Sequence, residues 1–185
     1  MIKESYSFLA EPHNSKLKWK KKKKTSLFIS VEGPAIEINN LTAIRIKEGF
    51  FKKIAKVVLE GEKQIEKKLS IALVGQKKIR ELNKKYRRKN RTTDVLAFPG
   101  NGLGEIIICL REVKKNAKRF ESTVAEALSH LPPWPTPQAS AFEKELARVL
   151  IHGILHLLGY DHEKNKQLAE KMKEKEGYYL LQLGT

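Results

Sequence analysis

The segment spanning residues 148–163 constrains this chain more than any other, because it holds three of the protein's five histidines, His152, His156 and His162. A helix that stops just before Gly159 would place His152 and His156 on one face, with their Cβ atoms about 6 Å apart. Gly159 suits the end of such a helix, because glycine readily takes the left-handed conformation that a helix C-terminus often needs. The chain can then reverse and bring His162 back to the first two histidines. The segment therefore predicts a helix, a turn and a shared metal ion.

The spacing of the three histidines is typical of a catalytic zinc site. His-x3-His-x5-His, with a glycine three residues after the second histidine, matches the zinc-binding spacing of metzincin proteases. Neutral imidazoles suit Zn²⁺, and three protein ligands leave a fourth position open to water. We therefore predict one Zn²⁺ ion held by His152, His156 and His162. Three imidazoles also accept Ni²⁺ and other ions, so the spacing leaves the identity of the metal open.

Gly153 breaks the match with the proteases. It stands where the protease helix carries the glutamate that acts as general base, and glycine cannot move a proton. A glycine inside a helix costs about 1 kcal/mol relative to alanine, so we expect it to serve close packing or access to the ion. The usual peptidase route is therefore absent. Bound Zn²⁺ still lowers the pKa of water to about 7 and polarises a phosphoryl oxygen, which are the services that phosphodiester hydrolysis needs.

The charge of the chain indicates a polyanionic partner. Lysine and arginine number 37 against 21 aspartate and glutamate residues, which gives a formal net charge of +16. Such an excess favours nucleic acid as the partner, ahead of an anionic membrane surface. No apolar run approaches the roughly 18 residues of a spanning helix, so no membrane span is expected. Cys109 is the single cysteine, so no disulfide can form within the chain, which fits a reducing cytoplasm. We expect Cys109 to be a small core residue.

The apolar periodicity predicts one α+β domain with a small mixed sheet of about four strands packed by helices. The length of 185 residues and a hydrophobic content of 41% suffice for one core. Two strands joined by the short turn at 100–104 should be antiparallel neighbours. Ser140 and Glu143 form a capping box at the start of the histidine helix. The expected strands are 27–31, 35–38, 69–74, 94–99 and 105–110, and the expected helices are 47–64, 77–87, 112–128, one from Ser140, and 163–181.

Two stretches stand apart from this domain. Seven lysines lie between Lys16 and Lys24, and such a block repels itself and rarely folds alone. We expect residues 1–33 to be a disordered extension, or a nucleic-acid-binding arm in which Trp19 stacks on a base. Residues 130–140 are rich in proline and predict a surface loop. Residues 34–185 then form the catalytic domain.

The histidine segment and three further motifs resemble one family. The run from His152 to His162, His-Gly-Ile-Leu-His-Leu-Leu-Gly-Tyr-Asp-His, resembles the signature of the YbeY-type endoribonucleases, also called rRNA maturation factors. Asn-Lys-Lys-Tyr-Arg at 83–87, Thr-Asp-Val-Leu-Ala-Phe-Pro at 93–99 and Leu-Gly-Glu-Ile at 103–106 are similar to other motifs of that family, in the same order. The resemblance covers roughly residues 36–184.

The resemblance implies a zincin-like α+β domain with Zn²⁺ on His152, His156 and His162. It implies metal-dependent cleavage of single-stranded RNA in the maturation and quality control of ribosomal RNA, with the ribosomal subunit as partner. By position Arg87 is the family's functional arginine and, with His152, is expected to be catalytic. Its guanidinium could hold a scissile phosphate through two hydrogen bonds. Tyr160 and Asp161 are expected to support the ligands.

The chain departs from the family pattern at two positions, and two other functions stay open. Ala97 replaces the usual serine and Arg88 replaces the usual glycine after the arginine. Relative to the family, residues 130–140 also resemble an insertion and residues 1–33 an extension. One alternative is a zinc hydrolase of another class, such as an unusual peptidase, which would need a base supplied from elsewhere, for example by Glu105. The other is a non-catalytic ribosome assembly factor whose structural zinc takes Asp161 as a fourth ligand. The sequence leaves the oligomeric state open.

Overall fold

A computed structural model describes residues 34–100, 102–124, 140–161 and 165–183. Within these ranges, four strands and five helices follow one another in the predicted order. The strands are β1 (Ile36–Asn40), β2 (Leu69–Leu73), β3 (Val95–Pro99) and β4 (Gly104–Ile108). The helices are α1 (Glu48–Gly61), α2 (Gln76–Arg87), α3 (Leu110–Val124), α4 (Ala141–Leu157) and α5 (Lys166–Leu183).

The four strands form one mixed sheet in the order β1-β2-β4-β3. β1, β2 and β4 are parallel, and β3 runs antiparallel to β4, with Leu96 opposite Ile107. The antiparallel pairing follows from the short turn between the last two strands. The α+β class and the mixed four-stranded sheet are therefore confirmed.

Successive side chains of a strand point to opposite faces of the sheet. Different helices pack against the two faces. Ile71 and Ile106 belong to the larger core, which they share with residues of α1, α3, α4 and α5. Ala72 and Ile107 point the other way and pack with Ile79 and Leu82 of α2. The single cysteine lies in this smaller core, as expected, and burial raises the pKa of its thiol.

α4 is the central helix of the larger core. Its start is the predicted capping box, in which the Glu143 backbone N–H donates to Ser140 Oγ at 3.3 Å and Ser140 N–H donates to Glu143 Oε2 at 3.0 Å. Leu146, Val149 and Leu150 are buried in the larger core. Nearly every position from residue 145 to 156 is buried, so the helix is held rigidly among its neighbours.

Several helix boundaries differ by one to three residues from the expected ones, and the end of α1 and the start of α3 are two of them. α1 ends at Gly61 rather than near residue 64, because the chain turns at Lys63, which has a φ of +56°. The turn is closed by Gln64 N–H, which donates to the Leu59 carbonyl at 2.8 Å. α3 begins at Leu110 rather than Glu112, directly after β4.

Several predicted features lie outside the described residues. They are the strand at 27–31, the lysine-rich extension at 1–33, the proline-rich loop apart from Ser140, and His162. In the part of the chain that is described, no helix combines the length and the apolar character that a membrane crossing requires.

Candidate metal centre

His152 and His156 lie side by side on α4 and point their ring nitrogens at one another. Their Nε2 atoms are 3.0 Å apart, and the ring planes meet at 82°. Both residues are buried, at 5% and 6% exposure. The four-residue spacing on a helix produces this proximity, as the sequence predicted.

Glu176 of α5 approaches the other nitrogen of the first imidazole. Its Oε1 lies 2.6 Å from Nδ1 of His152. A carboxylate oxygen accepts a hydrogen bond, so in the neutral imidazole this contact places the ring proton of His152 on Nδ1 and leaves a lone pair on Nε2. A carboxylate behind a histidine is the usual partner of a metal-binding imidazole.

The pair fits a shared metal ion. Two nitrogens bound to one tetrahedral Zn²⁺ at about 2.0–2.1 Å would be separated by about 3.3 Å, close to the 3.0 Å observed. A metal ion binds an imidazole through the lone pair of a ring nitrogen. In His152 that nitrogen is Nε2, which faces Nε2 of His156. Among the described residues no group of three His, Cys, Asp or Glu side chains is close enough to hold a metal. The third histidine of the motif, His162, lies outside those residues.

Gly159 ends the helix as predicted. Its φ is +91°, and the backbone N–H of Gly159 donates to the His156 carbonyl at 3.0 Å. The next N–H, of Tyr160, donates to the Leu155 carbonyl at 3.0 Å. These two bonds close the last turn of α4 and reverse the chain before Asp161, which is buried.

Gly153 packs directly against the sheet. A Cβ at this position would lie 3.1 Å from Cγ2 of Ile106 and 3.4 Å from Cγ2 of Val95. The prediction of close packing is therefore confirmed, and it explains why no side chain stands here. A glutamate at residue 153 would point its carboxylate into the core, where an unpaired charge is very costly.

A second carboxylate anchors the turn that follows α4. Glu62, at the end of α1, accepts hydrogen bonds from Tyr160 Oη at 2.8 Å, from Lys175 Nζ at 2.8 Å and from Tyr179 Oη at 2.5 Å. Burial raises the pKa of Glu62, but these three hydrogen bonds outweigh burial and leave the pKa below its ordinary value. These hydrogen bonds connect α1 and α5 to Tyr160, which precedes His162 by two residues.

Arg87 is the last residue of α2, on the other face of the sheet, and is half-buried. Its neighbour Tyr86 contacts Phe98 of β3 edge to face, with ring centroids 5.1 Å apart. Asn83 shapes the following loop, because its Nδ2 donates to the Arg91 carbonyl at 2.8 Å. Its own carbonyl accepts the N–H of Lys89 at 3.2 Å. The Asn83 to Arg87 motif therefore builds a loop that leads from α2 into β3.

Comparison with known proteins decides the family. The model of the family described as Endoribonuclease YbeY matches residues 36–132 and 136–184. The chain is 40% identical over 133 residues to the Endoribonuclease YbeY of Thermodesulfovibrio yellowstonii, which covers 68% of this chain and 71% of the relative.

The chain belongs to the Endoribonuclease YbeY family. The Endoribonuclease YbeY of Thermotoga maritima is 37% identical over 142 residues, covering 72% of this chain and 83% of that protein. The solution structure of TM1509 from Thermotoga maritima is similar, with a TM-score of 0.52 and 33% identity over 80% of this chain and 88% of that chain. The family predicted from the motifs is confirmed, and with it the prediction of an RNA-cleaving hydrolase.

Glu105 is poorly placed to serve a peptidase at the histidines. In β4 it alternates with Ile106, whose side chain contacts the position of Gly153 on α4. Glu105 therefore points to the other face of the sheet, opposite Phe98 in the strand register. Burial raises the pKa of its carboxyl group. The placement argues against Glu105 as the base of the peptidase alternative, in agreement with membership of the YbeY family.

Two residues of the site could not be assigned a role from sequence. They are Glu176, which contacts His152, and Glu62, which contacts Tyr160. Both act on partners far along the chain, since Glu62 and Tyr160 are 98 positions apart. No local spacing signals such pairs. A glutamate just beyond the end of an amphipathic helix resembles any solvated helix terminus.

Proposed function

We propose that this member of the YbeY family is a zinc-dependent endoribonuclease that cleaves single-stranded RNA during ribosomal RNA maturation and quality control in the cytoplasm. One Zn²⁺ would be held by His152, His156 and His162. The observation that carries the proposal is the pair of Nε2 atoms 3.0 Å apart, with Glu176 behind the first ring. The ribosomal subunit is the proposed partner.

The protein's own residues prepare the metal position. Glu176 accepts a hydrogen bond from Nδ1–H of His152, so that Nε2 offers its lone pair toward His156. Burial of both rings on α4 holds them in one orientation and limits the access of water. When bound, Zn²⁺ supplies Lewis acidity and lowers the pKa of a water molecule to about 7.

Arg87 is proposed to bind the phosphate of the scissile bond. Its guanidinium offers two parallel N–H groups to phosphate oxygens, and its charge offsets the negative charge that develops during cleavage. The residue closes α2, whose end packs on β3 through Tyr86 and Phe98. The other face of β3 meets the histidine helix at Val95. An RNA strand that passes around the edge of the sheet at β3 would contact both elements.

The proposed domain boundaries follow the sequence prediction. Residues 34–185 would form the endoribonuclease domain, with residues 130–140 as an insertion. The lysine-rich residues 1–33 would be an extension that adds affinity for RNA through its charge.

The test compares wild-type protein, loaded with zinc, with His156→Ala on three substrates: single-stranded ribosomal RNA fragments, the same fragments annealed to their complements, and casein. We expect wild type to cleave only the single strands, and His156→Ala to lose at least about 100-fold in rate. His130→Ala, which changes a histidine outside the motif, is the matched control and should keep its activity.

Three results would contradict the proposal. Equal RNA cleavage by wild type and His156→Ala would remove the metal from the reaction. Casein cleavage that disappears in His156→Ala would favour the peptidase. RNA binding without cleavage at any zinc concentration would favour the assembly factor with structural zinc.

A further inference from the structure

The positive charge of the described residues is concentrated around α2. Residues 76–93 contain nine lysine and arginine residues and a single acidic residue, Glu81. Their net charge of +8 is half of the formal charge of the whole chain. α2 is also the helix that packs alone on its face of the sheet within the described structure. This segment is therefore a basic surface separate from the core around α4.

The loop after α2 has a defined structure and folds back on the helix. Arg80 Nε donates to Asn90 Oδ1 at 3.0 Å, and Asn83 Nδ2 donates to the Arg91 carbonyl at 2.8 Å. These bonds bring the loop beside the exposed side of α2. Arg80, Arg88 and Arg91 are all exposed, and we call these three residues the arginine ridge.

Arg88 occupies a backbone conformation that favours glycine. It is the C-cap of α2 and has a φ of +57°, in the left-handed region. The family motif usually has glycine here, and glycine would take this conformation without strain. A cation near a helix C-terminus also interacts favourably with the helix dipole, but Lys84 and Lys85 already supply that charge in the last turn. An arginine at this strained position is therefore best explained by what its side chain binds.

The arginine ridge lies near the histidine helix, because Arg91 is close in the chain to a residue that contacts this helix. Arg91 is four residues before Val95, so their Cα atoms are at most about 14 Å apart. Val95 begins β3 and packs beside Gly153, the neighbour of His152. In the described sheet β3 is an edge strand, with α2 on one face and α4 on the other. A strand of nucleic acid that passes this edge would contact the ridge next to the site.

We infer that the arginine ridge binds backbone phosphates of single-stranded RNA on one side of the bond to be cleaved. The inference rests on the proposed function and specifies how the substrate is held. Arginine binds phosphate through paired N–H groups and releases the counterions of the strand. The apolar residues of α2 are buried in the smaller core. The ridge therefore lacks the exposed apolar face that membrane-surface helices use, which favours RNA over an anionic membrane.

The experiment removes two ridge charges and leaves the fold intact. The ridge variant carries Arg88→Gly and Arg91→Gln together in the full zinc-loaded chain. Arg88→Gly relieves the positive φ, and Arg91→Gln keeps the backbone carbonyl that accepts a hydrogen bond from Asn83. The matched control is Lys63→Gly with Lys53→Gln. It also removes two exposed charges and relieves the φ of +56° at Lys63, but it lies on the α1 side of the sheet.

Binding is measured with a 16-nucleotide single-stranded DNA, which presents the phosphate backbone, across a range of salt concentrations. We expect the ridge variant to bind about ten-fold more weakly at low salt. Its plot of log affinity against log salt should be shallower by about 1.4, since each phosphate contact with a single strand contributes about 0.7. The control should match wild type. Thermal unfolding should show the ridge variant to be at least as stable as wild type, because glycine relieves the strain at residue 88.

The outcomes separate the ridge from the catalytic proposal. If the ridge variant and the control have the same salt slope, the ridge does not bind the strand, whether or not wild type cleaves RNA. If the ridge variant loses affinity as expected while wild type fails to cleave RNA, the ridge stands and the proposed function falls. Binding to phosphatidylserine vesicles is measured in parallel. If the ridge variant binds the DNA like wild type but binds the vesicles more weakly, the surface is a membrane contact and the inference is wrong.

Discussion

Nδ1 of His152 lies 2.6 Å from Oε1 of Glu176, which joins the centre of the histidine helix to the last helix of the chain. The contact fixes the proton of the imidazole on the nitrogen that faces away from His156. Glu176 would act on a bound metal only through His152, which makes it a positioning residue. Its side chain is 18% exposed, so the hydrogen bond is largely shielded from water.

Glu176→Gln should weaken zinc binding by about 10- to 100-fold, the usual effect of losing a carboxylate behind a metal-binding histidine. The measurement is a competition titration with a zinc chelator at constant pH. Glu174→Gln on the exposed side of the same helix is the matched control and should bind zinc like wild type. Equal zinc affinities for both variants would show that Glu176 only packs α5 against α4.

Gly153→Ala should destabilise the protein by about 1 kcal/mol. Alanine gains about 1 kcal/mol in a helix relative to glycine. That gain is exceeded because the new methyl group would lie 3.1 Å and 3.2 Å from two carbons of Ile106, which is completely buried and cannot move aside. The measurement is the free energy of unfolding from urea titration.

Two further variants distinguish crowding from other effects of Gly153→Ala. Gly177→Ala in α5 has no neighbour within 4 Å and should instead stabilise the protein by up to about 1 kcal/mol. Adding Ile106→Val removes one crowding carbon, so the double variant should lose at least about 0.5 kcal/mol less than the two single losses together. Strict additivity would mean that crowding at Ile106 is not the cause.

Local patterns predicted the elements of this fold well, while long-range pairs could not be predicted. The histidine pair follows from a four-residue spacing, and the end of α4 follows from Gly159, because both depend on neighbours in the chain. The partners of Glu62 are 98 to 117 residues away, and Glu176 is 24 residues from His152. Those contacts form only after α1, α4 and α5 have packed together. The spacing of residue types along the chain therefore does not predict them.

Deleting residues 1–25 should weaken the binding of single-stranded RNA and flatten its salt dependence. The segment contains the seven lysines between Lys16 and Lys24. If all seven contact phosphates, the slope of log affinity against log salt should fall by about 5. The measurement is a filter-binding titration at several salt concentrations. Replacing the seven lysines by glutamine in the full chain is the control and should have the same effect, whereas an unchanged slope in both would exclude the segment from RNA binding.

Glu62→Gln should destabilise the protein by about 2 kcal/mol at neutral pH, because the charged acceptor of three hydrogen bonds is lost. The folded-state pKa of Glu62 lies below its ordinary value of 4.5. Its contribution is therefore complete above pH 4.5 and is lost as the pH falls through the folded-state pKa.

The opposite sign applies to Lys175, whose pKa is raised above 10.5 by its hydrogen bond with Glu62. Its contribution is complete below pH 10.5 and is lost as the pH rises through the folded-state pKa. The difference in unfolding free energy between wild type and Glu62→Gln should therefore be flat from about pH 5 to pH 10 and shrink at lower pH. Urea titrations at pH 3, 5, 7 and 9 measure it, with the exposed Glu66→Gln as control. A difference that stays constant down to pH 3 would show that the charge of Glu62 does not hold α1, α5 and Tyr160 together.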